Sequence, residues 1–247
     1  MKLHLLTINV HKGFSLLNRR FTLPQLRKAI HATSSDIIFM QEVVGENLEK
    51  AAKHTDWPEK PQHEYIAEMI GFEHVYGKNV VYTAGHHGNA ILSRFPILCS
   101  QRVDVSTNRL ESRGFLYAKL KIPNHKPGLH CICVHLGLLP RSRRKQFRQL
   151  REYIQKVVPG NEPLIVAGDF NEQRKKESDG LEARLGMKDA GLEVHGKKMR
   201  TFPALMPVWP LDRIYLRDFK VAKVQVLNKG VWKNLSDHAG LYAEVEI

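Results

Sequence analysis

The stretch PLIVAGDFN, residues 163–171, decides the fold. Its apolar run from Leu164 to Ala167, opened by Pro163 and closed by Gly168 and Asp169, has the length and composition of a buried strand. A carboxylate at the end of such a run sits where α/β sheets gather ligands and catalytic groups. Upstream, SRRKQFRQLREYIQKVV (142–158) reads as a helix, because Phe147, Leu150, Ile154 and Val157 recur at spacings of three and four. Before it, LHCICVH (129–135) reads as another strand, which puts Cys131 and Cys133 on one face as small buried hydrophobes. Strand, helix, strand in that order predicts an α/β layer rather than a helical bundle or an all-β barrel.

The rest of the chain repeats the alternation. KLHLLTINV (2–10) predicts a first strand, and TLPQLRKAIHA (22–32) a helix with Thr22 as N-cap, Pro24 early and Leu23, Leu26 and Ile30 on one face. DIIFMQEV (36–43) predicts a buried strand, and residues 46–71 two short helices around Trp57, Pro58 and Pro61. NVVYTAGHHG (79–88) reads as a loop. Strands are expected at NAILSRF (89–95), ILCSQRVDV (97–105) and RGFLYAKLKI (113–122), with a turn at PNHKPG (123–128). DGLEARLG (179–186) predicts a short helix, and LDRIYL (211–216), FKVAKVQVL (219–227) and GLYAEVEI (240–247) further strands. Roughly ten strands against four or five helices points to two packed sheets with helices outside, in one domain spanning residues 1–247.

Composition narrows the function classes. No apolar run approaches the ~20 residues of a membrane-spanning helix. The first residues, MKLHLLTINVHKG, are too short and polar for a secretory core, and three cysteines without metal-type spacing fit a reducing compartment, so a cytoplasmic monomer is expected. Lys and Arg outnumber Asp and Glu 38 to 25, a net charge of +13 that favours a polyanionic partner, nucleic acid or an anionic lipid headgroup.

Polar residues fall at the ends of the apolar runs: Asn9, Glu42, His135, Asp169 with Asn171, Asp212, and Asp237 with His238. Taken singly, each is an ordinary turn former or capping residue. Taken in order, TINV, MQEV, HGNAILSR, SRGFLYAKL, CVHLGL, VAGDFN, LDRIY and SDHAGL, from residue 7 to residue 241, resemble the endonuclease/exonuclease/phosphatase family. The resemblance implies a four-layer α/β sandwich, two packed mixed β-sheets flanked by helices. It implies a phosphoester hydrolase dependent on Mg²⁺ or Mn²⁺, most simply a phosphodiesterase or nuclease, with a lipid headgroup or small phosphoester as the alternative substrate.

It also implies roles. Glu42 and Asp237 lie at the metal, and carboxylate oxygens suit such a hard ion. Asp169 is the general base of the GDxN pair with Asn171. His238 faces a phosphate oxygen, held by Asp212, and His135 is a second phosphate-facing imidazole. Asn9 lies near both metal and scissile phosphate. His11 stands where abasic endonucleases carry an aspartate, and is either a phosphate contact or part of the loop. His87 and Asn89 are substrate contacts or turn residues, and Arg113 a phosphate contact or a structural ion pair. The basic helix from Arg141 flanks the groove or turns its charges to water, and lacks the interleaved aromatics of a base-stacking surface. A basic nucleic-acid-binding pseudoenzyme would explain the charge but not the intact acid, amide and histidine set.

Overall fold

Side chains along β1 (Lys2–Asn9) part to two faces and are buried on both: Leu3 and Leu5 on one, Leu6 and Ile8 on the other. A strand of this kind belongs between two layers of apolar structure. The computed structural model, which describes residues 1–108, 111–123, 126, 128–173 and 179–247, supplies both.

The first sheet is built on β1, β2 (Ile37–Asn47), β3 (Glu73–Tyr82), β4 (Gly85–Ser93), β11 (Lys220–Leu227) and β12 (Gly240–Glu246), in the order β11-β12-β1-β2-β4-β3. The second takes β5 (Ile97–Asp104), β6 (Gly114–Leu120), β7 (Leu129–His135), β8 (Leu164–Asp169), β9 (Lys188–Asp189) and β10 (Asp212–Arg217), in the order β5-β6-β7-β8-β10-β9. Both are mixed. β1 runs parallel to β2 and β7 parallel to β8, and the other pairings are antiparallel.

Between the sheets lies a core that includes Leu5, Phe39, Leu116, Cys131, Cys133, Ala167 and Ala243. Outside the first sheet, α1 (Leu23–Ala32) and α3 (Gln62–Ile70) cover Leu6, Ile8 and Ile38 with Leu26, Ile30 and Ile66. Outside the second, α4 (Pro140–Val157) lays Phe147, Leu150 and Ile154 on Ile132, Val134 and Val166, with Val157 at the margin. Each such side chain, fully buried, contributes about 1.5–3 kcal/mol of transfer free energy. The architecture is the expected four-layer α/β sandwich.

Three sequence readings are corrected. NVVYTAGHHG is no loop: residues 79–82 end β3, and 85–88 begin β4, the two joined at Thr83 and Ala84. β3 is an edge strand with an irregular, half-wet burial pattern and a bulge after Lys78, so the alternation that marks a strand is blurred. Thr22 stands at the N-cap, but its hydroxyl donates to the carbonyls of Gly13 and Leu235 and caps nothing. The described residues form twelve strands rather than ten, because β3 and the two-residue β9 carry little sequence signal. Beside β9 stands α6 (Ala190–His195), capped by the Asp189 carboxylate. The two short helices α2 (Leu48–Lys53) and α3 and the helix α5 (Asp179–Leu185) stand where the sequence puts them. The PNHKPG turn includes residues 124, 125 and 127, outside those described.

Gly168 takes a φ of +145°, and a Cβ there would run into the Val134 carbonyl of the neighbouring strand. Gly168→Ala is therefore expected to lower the unfolding free energy, measured by urea denaturation, by more than ~1 kcal/mol, since backbone strain adds to the collision.

Candidate active site

The parallel pairs bring the chemistry together. Asn9 of β1 lies opposite Gln41 of β2, one residue before Glu42, and His135 of β7 lies opposite Asp169 of β8. The antiparallel partner β10 starts at Asp212, opposite Asp169. The segment before β12 carries Ser236, Asp237 and His238, and the Ser236 hydroxyl donates to the Asn9 carbonyl at 2.7 Å. One end of both sheets thus receives all the strand-end residues.

Asp169 is buried at the middle of this end. Its Oδ1 accepts the Asn171 backbone N–H at 2.9 Å and its Oδ2 the Asn9 side-chain amide at 3.3 Å. His135 Nε2 and His238 Nε2 approach Oδ2 to 3.6 and 3.9 Å. The same Asn9 amide reaches Glu42 Oε1 at 3.3 Å, which ties the two acids through one side chain. Asn171 turns its own amide to the Leu136 carbonyl at 2.9 Å and is held at a φ of +51°. Glu42 also has positive φ, +56°, at a bulge of β2 against β4, and the irregular backbone re-aims its side chain.

Electrostatics divide the two histidines. Burial works against the charged form of His238, but Asp212 and Asp169 outweigh it and hold the imidazole up to about 10. Asp212 accepts from His238 Nδ1 at 2.8 Å and from the Thr201 hydroxyl at 2.6 Å on the same oxygen, so the ring orientation is fixed from two sides. His135 is pushed well below the ordinary histidine value by burial and by the nearby Arg113, and is neutral. Asp169 is raised to about 7 by burial, with Asp212 adding repulsion against the pull of His238. Burial opposes ionisation of Glu42, yet the Lys12 ammonium, with hydrogen bonds from Lys12 and Asn9, holds it well below the usual carboxylate range.

Around this centre the remaining candidates separate. His11 Nδ1 lies 3.7 Å from Asp237 Oδ1, and its backbone N–H donates to Asn9 Oδ1 at 3.0 Å. His87 is half-buried and kept neutral, at about 4, by burial and by Lys12. Asn89 lies deeper, with its amide on the carbonyls of Gly114 and Cys133 in the other sheet. Arg113 spends its guanidinium on the Leu136 carbonyl, the Ser112 carbonyl and Glu111. On α4 the residues Arg141, Arg144, Lys145 and Arg148 are exposed, whereas Arg143 is buried with the carbonyls of Gly137 and Leu138.

The structure adds residues that the sequence reading left out. Lys12 Nζ lies 2.6 Å from Glu42 Oε2, brought there by positive φ at both His11 and Lys12. Phe202 packs on the His238 ring at 4.7 Å, with Trp209 stacked behind it at 5.9 Å, which makes an apolar wall beside the cationic imidazole. Lys12 lies in HKG (11–13) and Phe202 and Trp209 in TFPALMPVW (201–209), but nothing in the local pattern of these segments says that they meet the site.

The donor set suits a hard divalent ion. Glu42 and Asp237 present carboxylates at the mouth, Asp169 lies beneath, and the only cation on Glu42 Oε2 is Lys12, a monovalent stand-in at that position among the described residues. Asp212 Oδ1, His11 Nδ1 and His87 Nδ1 are buried polar atoms without hydrogen-bond partners. Asp169, Asp212 and His238 bring ligand atoms within 4.8 Å of one another, but Asp212 is already committed to His238 and Thr201. Oxygen-rich and poor in sulfur, the set resembles a magnesium or manganese site more than a zinc site.

Comparison with known proteins places this geometry. The sequence model of the Endonuclease/Exonuclease/phosphatase family matches residues 6–238. The uncharacterised protein YbhP of Escherichia coli K12 is 41% identical over 242 residues, covering 98% of this chain and 95% of its own length. Among solved structures, an endonuclease/exonuclease/phosphatase from Bacteroides vulgatus superposes with a TM-score of 0.78 at 18% identity, over 100% of this chain and 99% of the other. A mannosyl-6-phosphatase of Bacteroides thetaiotaomicron gives 0.77 at 17% identity, over 99% and 100%. D. rerio TDP2 complexed with a single-strand DNA product gives 0.72 at 21% identity, over 100% and 99%.

Proposed function

The chain belongs to the endonuclease/exonuclease/phosphatase family, and from that premise we propose that it is a metal-dependent phosphoester hydrolase that cleaves phosphodiesters by in-line attack of water. The observation that carries this reading is the convergence on one buried carboxylate, Asp169, of two amide donors and two imidazoles of opposite protonation state.

Asp169, with a pKa near neutrality, is suited to accept a proton from the attacking water. Asn9 and the Asn171 N–H hold its oxygens in place, so the base need not reorient as the water approaches. The His238 cation, kept by Asp212, offers Nε2–H to a phosphoryl oxygen on which negative charge grows. His135, neutral, offers a second donor from the opposite strand pair. Water oxygen bonds to phosphorus as the ester P–O bond breaks, and the departing oxygen takes up a proton. Glu42 and Asp237 would hold the divalent ion, Mg²⁺ or Mn²⁺, which supplies neutralising charge to the phosphoryl oxygens when bound. Asn89 and Arg113 take supporting roles in this reading, Asn89 joining the sheets beneath the site and Arg113 bracing the Leu136 carbonyl that also holds Asn171. His11 and His87 remain at the rim as phosphate contacts.

The test uses a soluble aryl phosphodiester, supercoiled plasmid, single-stranded RNA and phospholipid as substrates, with Mg²⁺ or Mn²⁺ and with EDTA. Turnover of at least one phosphodiester is expected, abolished by EDTA and by His238→Ala. Removing the Nε2–H donor at an oxyanion should cost about 10²–10³ in kcat. Metal-independent turnover, or turnover that survives His238→Ala, overturns the reading.

A further inference from the structure

Large apolar side chains stand in water around the mouth of the site. Leu138 and Leu139, 64% and 60% exposed, form the turn between β7 and α4, directly after the site residue His135. Leu205 and Met206, 46% and 72% exposed, tip the loop that sets Phe202 on His238. Leu17, 66% exposed, ends the turn that leaves Lys12. All three segments leave or enter the strand ends that carry the site, so they crown the same end of the sandwich.

These side chains are held out rather than left to collapse. The Leu138 turn is braced by Arg143 on the carbonyls of Gly137 and Leu138 and by Glu111 on the Leu138 N–H at 2.8 Å. The second loop is tied by Ala204 N–H to the Asp237 carbonyl at 2.7 Å, by Met206 N–H to the Pro203 carbonyl at 3.1 Å and by the Phe202–Trp209 backbone pair. A protein working only in water gains nothing from braced aliphatic tips around a polar cleft, and such patches mark contact surfaces.

Cations alternate with the tips. Arg19, Arg20 and Lys233 line a groove with Leu16, Leu205 and the site residue Asp237, between the Leu17 turn and the Leu205 loop. Arg141 and Arg144 follow Leu139 on the exposed side of α4. Aliphatic tips backed by Arg and Lys are the chemistry of a surface that enters a bilayer interface while its charges meet anionic headgroups. Single-stranded polynucleotide binding calls instead for free aromatic faces on which bases stack; Trp209, 41% exposed, is stacked on Phe202, and the more exposed rim side chains, Leu17, Leu138, Leu139 and Met206, are leucine and methionine.

We propose that this rim docks on an anionic phospholipid surface, from which the phosphoester substrate, a lipid headgroup, enters the site. The docking half stands on the rim alone, and the substrate half rests on the reading of the site as a phosphoester hydrolase.

Co-sedimentation with phosphatidylcholine vesicles, with and without phosphatidylglycerol, tests it on the whole chain. The protein is expected to sediment with the anionic vesicles and to be released by salt. Each of three paired variants, Leu138→Glu with Leu139→Glu, Leu205→Glu with Met206→Glu, and Arg19→Glu with Arg20→Glu, should weaken partitioning by about tenfold or more. Their far-UV circular dichroism and thermal transitions should match those of the wild type, which shows that they fold. Failure of the wild type to sediment with anionic vesicles overturns the proposal, as does equal sedimentation of the variants. Retardation of an oligonucleotide that the same variants abolish, with no vesicle binding, overturns it in favour of a nucleic-acid surface. Vesicle binding is read without turnover, so a lack of hydrolysis would count against the proposed function and not against the docking.

Discussion

Asp169→Asn is expected to reduce kcat/KM on any phosphodiester the protein hydrolyses by about 10²–10⁴, the usual worth of a positioned general base. The substitution keeps the shape and leaves an amide oxygen for the Asn171 N–H, so the loop should hold its conformation. What it removes is the proton acceptor and one of the two carboxylates facing His238. The thermal transition of the variant should lie at or above that of the wild type at pH 8. Burial raises Asp169 to about 7, above its unfolded value, so the folded state binds the extra proton, and the ionised carboxylate costs stability as pH rises through that range. A large loss of activity with no loss of Tm identifies a residue kept for chemistry. A Tm that falls with the activity would instead make Asp169 a structural strand-end acid.

The reverse pattern is expected at Arg213→Met. Arg213 is buried, with Nη1 2.8 Å from Glu172 Oε2 and 3.0 Å from the Tyr215 hydroxyl, and Nη2 2.8 Å from the Glu172 carbonyl. Glu172 is equally buried and follows Asn171, so this ion pair clamps the strand β10 to the segment that leaves Asp169. Removing the guanidinium leaves the Glu172 carboxylate with Lys198, at 3.5 Å, as a weaker partner. Breaking a buried pair from one side costs roughly 3–5 kcal/mol, a fall in Tm of roughly 6–20 °C for a chain of this length. The double variant Arg213→Met with Glu172→Leu should recover part of the loss, because the buried carboxylate goes with its guanidinium, while Lys198 gives up its contact with Glu172. A single variant that melts within about 2 °C of the wild type, less than the shift for 1 kcal/mol, would show that the pair carries little.

These two neighbouring regions also show how far sequence reading reaches. Asp169, Asn171 and Asp212 were legible because each ends or opens an apolar run long enough to be a strand, and strand ends are where two buried sheets open to solvent. Asp212 and His238 are 26 residues apart in the chain, and their pairing was an implication of the family resemblance, not of the strand-end pattern. The contact between Lys12 and Glu42 was not legible, since it depends on two consecutive left-handed residues and a bulge, none of which a hydrophobic pattern encodes. The hairpin of β3 and β4 was hidden for a related reason: an edge strand that is half wet has no clean period of two. The exposed rim was invisible for a third reason. A leucine in a sequence reads as core, and only its surroundings reveal that Leu138 and Leu139 have none.

The pairing of β1 with β12 has a bearing on how the protein is made. β1 lies between β2 and β12, and Asn9 reaches the site through it. On a ribosome β1 therefore waits with one edge open until residues 240–246 have emerged. That open edge is a template for unwanted strand addition throughout synthesis. Asp237 and His238 join the other strand-end residues only with the segment before β12, so shorter fragments would carry Asp169 and Glu42 without the imidazole that pairs with Asp212.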